Sequence, residues 1–150
     1  MAGSVERVRQ HLASLGAEVT FREFDVSTRN SALGCSVAEI AKSVVFKGAG
    51  ALVAVVSGDK RVDVRKLSAW AGRSVSVATP EEVRSLTGYP IGGVPPFPHK
   101  ETVTVLPDSS LRRFEHVWAA GGAPNVVFRI RAEDLLRALG KGPIEVAERA

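Results

Sequence analysis

The chain has 150 residues, a mass of 15.9 kDa and 45% hydrophobic residues, enough to bury the core of one domain over residues 1–150. No apolar run approaches the roughly 20 residues a membrane span needs, which excludes a helical membrane protein. The net charge of +4 and pI near 9.6 permit an anionic partner. Lys and Arg are nevertheless scattered, and the clusters Arg61/Arg65/Lys66 and Arg112/Arg113 read as solvated faces rather than the dense tract of a dedicated nucleic-acid binder.

In chain order, Val5, Val8, Leu12 and Leu15 fall at helical spacing, with Ser4 as an expected cap and Gly16 as the stop, so the start reads as an amphipathic helix rather than a secretory leader. A strand is expected over Glu18 to Phe24. Cys35, the single cysteine, leaves no intrachain disulfide framework and fits a reducing cytoplasm; it reads as a small residue beside a helix start. "SVAE" at Ser36 to Glu39 has the capping-box pattern, predicting a short helix that runs out near Lys42. The runs "SVVFKG" and "ALVAVVSG" predict a hairpin. Asp63 is placed to cap a helix through Trp70 that Gly72 ends, and "SVSVA" follows as a strand. "TPEE" at Thr79 to Glu82 supplies a cap, a Pro in the first turn and an acid at the third helical position, so a helix is expected up to Gly88.

Residues 88–100, "GYPIGGVPPFPHK", hold four of the eight prolines and three of the fourteen glycines. Glycine allows positive φ and close backbone approach, whereas proline fixes φ and restricts its neighbour, so this is a loop of imposed shape. Beyond it come a strand "TVTVL", a turn or short helix from Asp108, a strand "HVWAA", a "GGAPN" turn, a strand "VVFRIR" and a helix "AEDLLRAL" stopped by Gly140. Helices and strands mix without strict βαβ alternation. The fold class is therefore α+β with a mixed, mostly antiparallel sheet.

Familiar catalytic patterns are missing from the sequence. Gly88 and Gly93 stand at phosphate-loop spacing, but Val94 occupies the position of the required Lys. One Cys and the scattered His11, His99 and His116 offer no paired zinc spacing, and no G-x-S-x-G elbow occurs. What remains is backbone chemistry: N–H groups of a stiffened loop around Gly93 and Pro96 could stabilise a developing oxyanion, or the loop could be purely structural. Lys42 has two readings, a cation complementing a helix C-terminus or a charge aimed at a ligand from a helix–strand junction.

"AKSVVF" (Ala41 to Phe46), "TGYPIGGVPPF" (Thr87 to Phe97) and "VWAAGGAPN" (Val117 to Asn125), in this order, resemble the YbaK family, related to the editing domain of bacterial prolyl-tRNA synthetases. The resemblance covers nearly the whole chain. It implies a mixed α/β fold around a curved central sheet flanked by helices, and hydrolysis of the ester joining a wrong small amino acid, such as Cys or Ala, to tRNA(Pro) or a related tRNA. The implied partners are the 3′ end of aminoacyl-tRNA and prolyl-tRNA synthetase, without membrane or DNA; no metal or organic cofactor is implied. Carried over by motif, Lys42, Gly92 and Gly93 are the catalytic set. Tyr89, Pro96, Ala120, Gly121 and Gly122 are the substrate-binding set, with Ala120 standing where some members carry a Ser. Two other readings remain open: a binding module for aminoacyl-tRNA or a synthetase, and a small-molecule binding protein.

Overall fold

The computed structural model describes residues 2–24, 36–48, 50–140 and 142–148; Cys35 lies outside the described residues. Helix α1 (Ala2–Leu15) buries Val8 and Leu12 completely, as the spacing of apolar positions requires, whereas Leu15, at the helix end, is exposed against that expectation. Ser4 is not its cap. The helix already begins at Ala2, and the Ser4 hydroxyl donates instead to the Gly122 carbonyl at 2.9 Å.

Seven strands follow: β1 (Val19–Glu23), β2 (Ile40–Lys47), β3 (Ala51–Ser57), β4 (Ser76–Val77), β5 (Val103–Pro107), β6 (His116–Ala123) and β7 (Val126–Arg131). They form one sheet in the order β1-β7-β6-β2-β3-β5, with β4 added beside β2. β2–β3, β2–β4, β6–β7 and β1–β7 are antiparallel, whereas β2–β6 and β3–β5 are parallel, so the sheet is mixed and mostly antiparallel, as expected. The expected hairpin is β2–β3. The expected helix after Ser36 is only a 3-10 turn, Val37–Glu39, whose Glu39 carboxylate accepts from the Ser36 N–H at 3.0 Å.

β3 is buried at all seven positions because both faces of the sheet are covered. Ala51, Val53 and Val55 join a core with Val8 and Leu12 of α1, Val83, Phe128 and Leu135; Leu52, Ala54 and Val56 join Phe46, Leu67 and Leu106 on the opposite face. The remaining helices close these faces: α2 (Val64–Ala71), α3 (Pro80–Thr87) and α4 (Ala132–Leu139). Each stops at a glycine in the left-handed conformation, Gly72, Gly88 and Gly140. Asp63 caps α2 by accepting from the Arg65 and Lys66 N–H groups. No helix among the described residues is long and apolar enough to cross a membrane.

Two acids fasten distant segments. Asp108 is 1% exposed and its carboxylate accepts from three backbone N–H groups, those of Ser110, Val146 and Ala147, tying the chain's last described stretch to the end of β5. Glu82 completes the capping box of α3 with Thr79 and also accepts from Lys47 Nζ at 2.7 Å, pinning the helix start to the end of β2. The Lys47 hydrogen bond, followed by the Thr79 backbone, holds the Glu82 carboxyl down from its ordinary 4.5 to about 2.

Asp108→Ala leaves three buried donors without an acceptor and is expected to cost about 3 kcal/mol or more. Urea unfolding checks the total, and selective loss of amide exchange protection at Val146 and Ala147 checks the cause. Because the Glu82 pKa is depressed by folding, its stabilisation is complete above pH 4.5 and is lost as the pH falls through about 2. The melting temperature of Glu82→Gln should therefore lie below that of the parent at neutral pH, with the gap narrowing across this acid window.

Candidate active site

The sheet is incomplete at one place. β2 pairs with β6 only at Ile40 and Ala41 and with β4 only at Phe46 and Lys47. Between them, Lys42, Ser43 and Val44 pair with β3 on one side and have no strand partner on the other among the described residues. The Val45 carbonyl there accepts from the Ala78 N–H instead, at 3.0 Å. A cavity of about 240 Å3 fills the gap, lined by Lys42, Ser43, Val44, Val45, Val77, Ala78, Val83, Ile91, Gly92 and Val94.

Two polar residues interrupt its aliphatic lining, and as neighbours on a strand they send their side chains to opposite faces of β2. Lys42 is half-buried and has no hydrogen-bond or ion-pair partner among the described residues. A carboxylate nearby would have neutralised it, as Glu82 does Lys47; here the ammonium remains available to an anion or a polarised oxygen. The Ser43 hydroxyl is out of contact with solvent and has no hydrogen-bond partner among the described residues. A buried hydroxyl left unpaired costs about 1–3 kcal/mol, so such groups are rare and point to a missing partner. Val77 and Ile91 line the same cavity yet are 58% and 54% exposed, giving it an apolar mouth.

Residues of the Gly/Pro segment form the opposing wall. After Gly88 ends α3, the Gly93 N–H donates to the Pro90 carbonyl at 2.9 Å, closing a turn with Gly92 at φ 84. Gly92 is exposed and lines the cavity with Lys42. Gly93 does not line it: a Cβ there would lie 2.7–2.9 Å from the Ala123 backbone, so its close approach is to β6. Its N–H, expected to hold an oxyanion, is engaged by Pro90.

The other expected residues part company in space. Lys42 is the third residue of β2, opposite Val56, so it complements no helix end. Gly121 and Gly122 are not a turn after a strand but buried strand residues at a register shift of β6, and the turn is Pro124–Asn125. Ala120 is buried beside them, and Pro96 is buried within the loop. Tyr89 is 1% exposed, its hydroxyl donates to the Pro98 carbonyl at 2.8 Å, and it lines a different cavity. Of the sequence-derived set, Lys42 and Gly92 share the site. Ser43, not anticipated, joins them; a lone hydroxyl beside Lys42 inside the apolar run of β2 was the available signal.

Among the described residues no three His, Cys, Asp or Glu side chains converge on one point. Over residues 24–138 the chain matches the profile of the aminoacyl-tRNA editing domain. It belongs to that family. The uncharacterised protein YwhH of Bacillus subtilis is 32% identical over 139 residues, covering 88% of each chain. The Ser/Thr-tRNA deacylase ProXp-y of Escherichia coli is 28% identical over 131 residues, covering 77% of this chain and 78% of its own. A crystal structure described as a candidate trans-editing enzyme for prolyl tRNA synthetase superposes with a TM-score of 0.87 at 38% identity, over 97% of this chain and 98% of that one. The editing-domain fold thus extends through α1 and α4.

Gly93→Ala forces a methyl group against backbone rather than a flexible side chain, so editing-domain function and fold are expected to fail together. Overpacking of this kind typically costs about 1–3 kcal/mol, a shift of several degrees in the thermal midpoint. An unchanged midpoint with lost turnover would instead place Gly93 against substrate.

Proposed function

We propose that the protein is a free-standing deacylase that hydrolyses the ester between a small wrong amino acid and the 3′ end of tRNA(Pro) or a related tRNA, in the cavity between Lys42 and Gly92. The observation that carries this reading is a half-buried lysine, without a counter-ion among the described residues, that lines an aliphatic cavity together with a side-chain-free loop residue. Membership of the editing-domain family supports the ester as substrate, and the name of ProXp-y, a Ser/Thr-tRNA deacylase, supports a small side chain.

An aminoacyl ester is already activated, so positioning and charge stabilisation supply most of what hydrolysis needs. Water, oriented or relieved of its proton by the neighbouring ribose hydroxyl, attacks the carbonyl carbon; the bond to the esterified ribose oxygen breaks, and that oxygen takes up the proton the water gave as the free amino acid departs. The Lys42 ammonium holds the developing oxyanion or the terminal phosphate. Gly92, lacking a side chain, lets the ester approach. Val45, Ala78, Val83 and Val94 provide a lining that favours a small apolar side chain. Binding to prolyl-tRNA synthetase is part of the proposal at the level of partner only.

The test is a deacylation panel of tRNAs carrying Ala, Cys, Ser, Thr or Pro. Lys42→Ala is expected to lower kcat/KM on the preferred substrate by roughly 100-fold, equivalent to about 2.7 kcal/mol, with the fold intact. Lys42→Arg should also be badly impaired, since a planar fork replaces a compact ammonium. A panel flat at the spontaneous rate would make the protein a binding module, and full activity in Lys42→Ala would remove the lysine from the mechanism.

A further inference from the structure

A second cavity, of about 220 Å3, borders the same Gly/Pro segment but shares no lining residue with the first. It lies among Arg7 of α1, Thr87 at the end of α3, Tyr89, Pro98, His99 and Lys100. Two cations and, among the described residues, no carboxylate line it. Arg7 holds its guanidinium 4.9 Å from the centre of the Tyr89 ring, a contact that fixes the charge while leaving its N–H groups able to donate. Tyr89 is itself immobilised, by its hydrogen bond to Pro98 and by the edge of the His99 ring at 5.4 Å.

His99 supplies the unusual group. Its Nε2 lies 2.8 Å from the Pro95 carbonyl, which can only accept, so the proton is on Nε2. Nδ1 then carries a lone pair, out of contact with solvent and with no partner among the described residues. Burial pushes the ring below its ordinary range, and the nearby Arg7 charge acts in the same direction, so this lone pair persists at neutral pH. The cavity therefore offers two cations to an anion, and just beneath its lining lies one unpartnered acceptor that an O–H or N–H donor would satisfy. A ribose–phosphate unit has both complements, phosphate oxygens and a 2′-hydroxyl; DNA lacks the second.

We propose that the cavity of Arg7, Tyr89, His99 and Lys100 docks one ribose–phosphate unit of an RNA strand, close to the strand's end held at Lys42. The inference rests on the deacylase reading for its substrate, and Tyr89, which does not line the ester cavity, finds its role here. With Tyr89 and Ile91 only two residues apart, one short segment borders both cavities, and consecutive nucleotides of one 3′ end can engage its two flanks.

The experiment measures binding of an uncharged RNA hairpin with a single-stranded 3′ end against ionic strength. Arg7→Ala/Lys100→Ala is expected to weaken binding at low salt at least 10-fold and to reduce the slope of log affinity against log salt by about 0.7 for each phosphate that the variant no longer neutralises. Removing two cations elsewhere, in Arg61→Ala/Arg65→Ala, should have a clearly smaller effect; equal losses would mean general surface charge and overturn the site. Hairpins with 2′-deoxyribose at the two nucleotides before the last should bind the unaltered protein several-fold more weakly, and equal binding would overturn the role of His99. Displacement of the hairpin by micromolar 5′-AMP, abolished in the Arg7/Lys100 variant, would assign the cavity to a free nucleotide and overturn the strand. Because the hairpin carries no amino acid, binding as expected without any deacylation keeps this site and removes the hydrolytic reading, while deacylation with unaffected binding does the reverse.

Discussion

At Gly122 three segments far apart in sequence are joined through one residue. Its N–H donates to the Gly93 carbonyl at 3.1 Å, and its own carbonyl accepts from the Ser4 hydroxyl of α1. The residue sits at φ 102, with Ser4 O only 2.7 Å from where a Cβ would be, so only glycine satisfies the conformation and the packing together. This junction sets the depth at which the Gly/Pro segment lies against β6. Both cavities beside that segment take their shape from it.

The two lysines of β2 show how the same side chain serves different ends on one strand. Lys47, at the strand's end, is neutralised by Glu82 and fastens α3 to the sheet. Lys42, five residues earlier, lines a mainly aliphatic cavity with no acid among the described residues. A charge with low-dielectric walls and no counter-ion exerts a longer reach than one on an open surface. Separating these roles along β2 lets the scaffold hold α3 by electrostatics without quenching the ammonium in the cavity.

Much of the fold is legible in the sequence because its signals are local. Asp63 and Thr79 cap their helices and Gly72, Gly88 and Gly140 end them, each through contacts within a few residues. The unbroken apolar run of β3 likewise reports burial on both faces. Ser4 misleads because its partner is 118 positions away, and a capping residue and a helix-docking residue look alike in sequence. Gly121 and Gly122 look like a turn, yet they occupy a strand whose irregularity accommodates α1 and Val126. Lys42 and Gly92 are legible through motif resemblance, but Ser43 and the separate surroundings of Tyr89 depend on which faces the sheet and the loop present, which spacing alone does not encode.

The break in pairing along β2 has a further bearing on how the protein behaves in a crowded solution. An unpaired strand edge is ordinarily an invitation to edge-to-edge association, and proteins guard such edges with charge, brevity or cover. Here the unpaired stretch, Lys42 to Val44, is about 10 Å long by strand geometry, carries a lysine and is faced across the cavity by Ile91 and Gly92. It is too short to nucleate a ladder with another chain. The gap that forms the cavity is thereby kept closed to a foreign β-strand, so an open cavity and a guarded strand edge follow from one break in pairing.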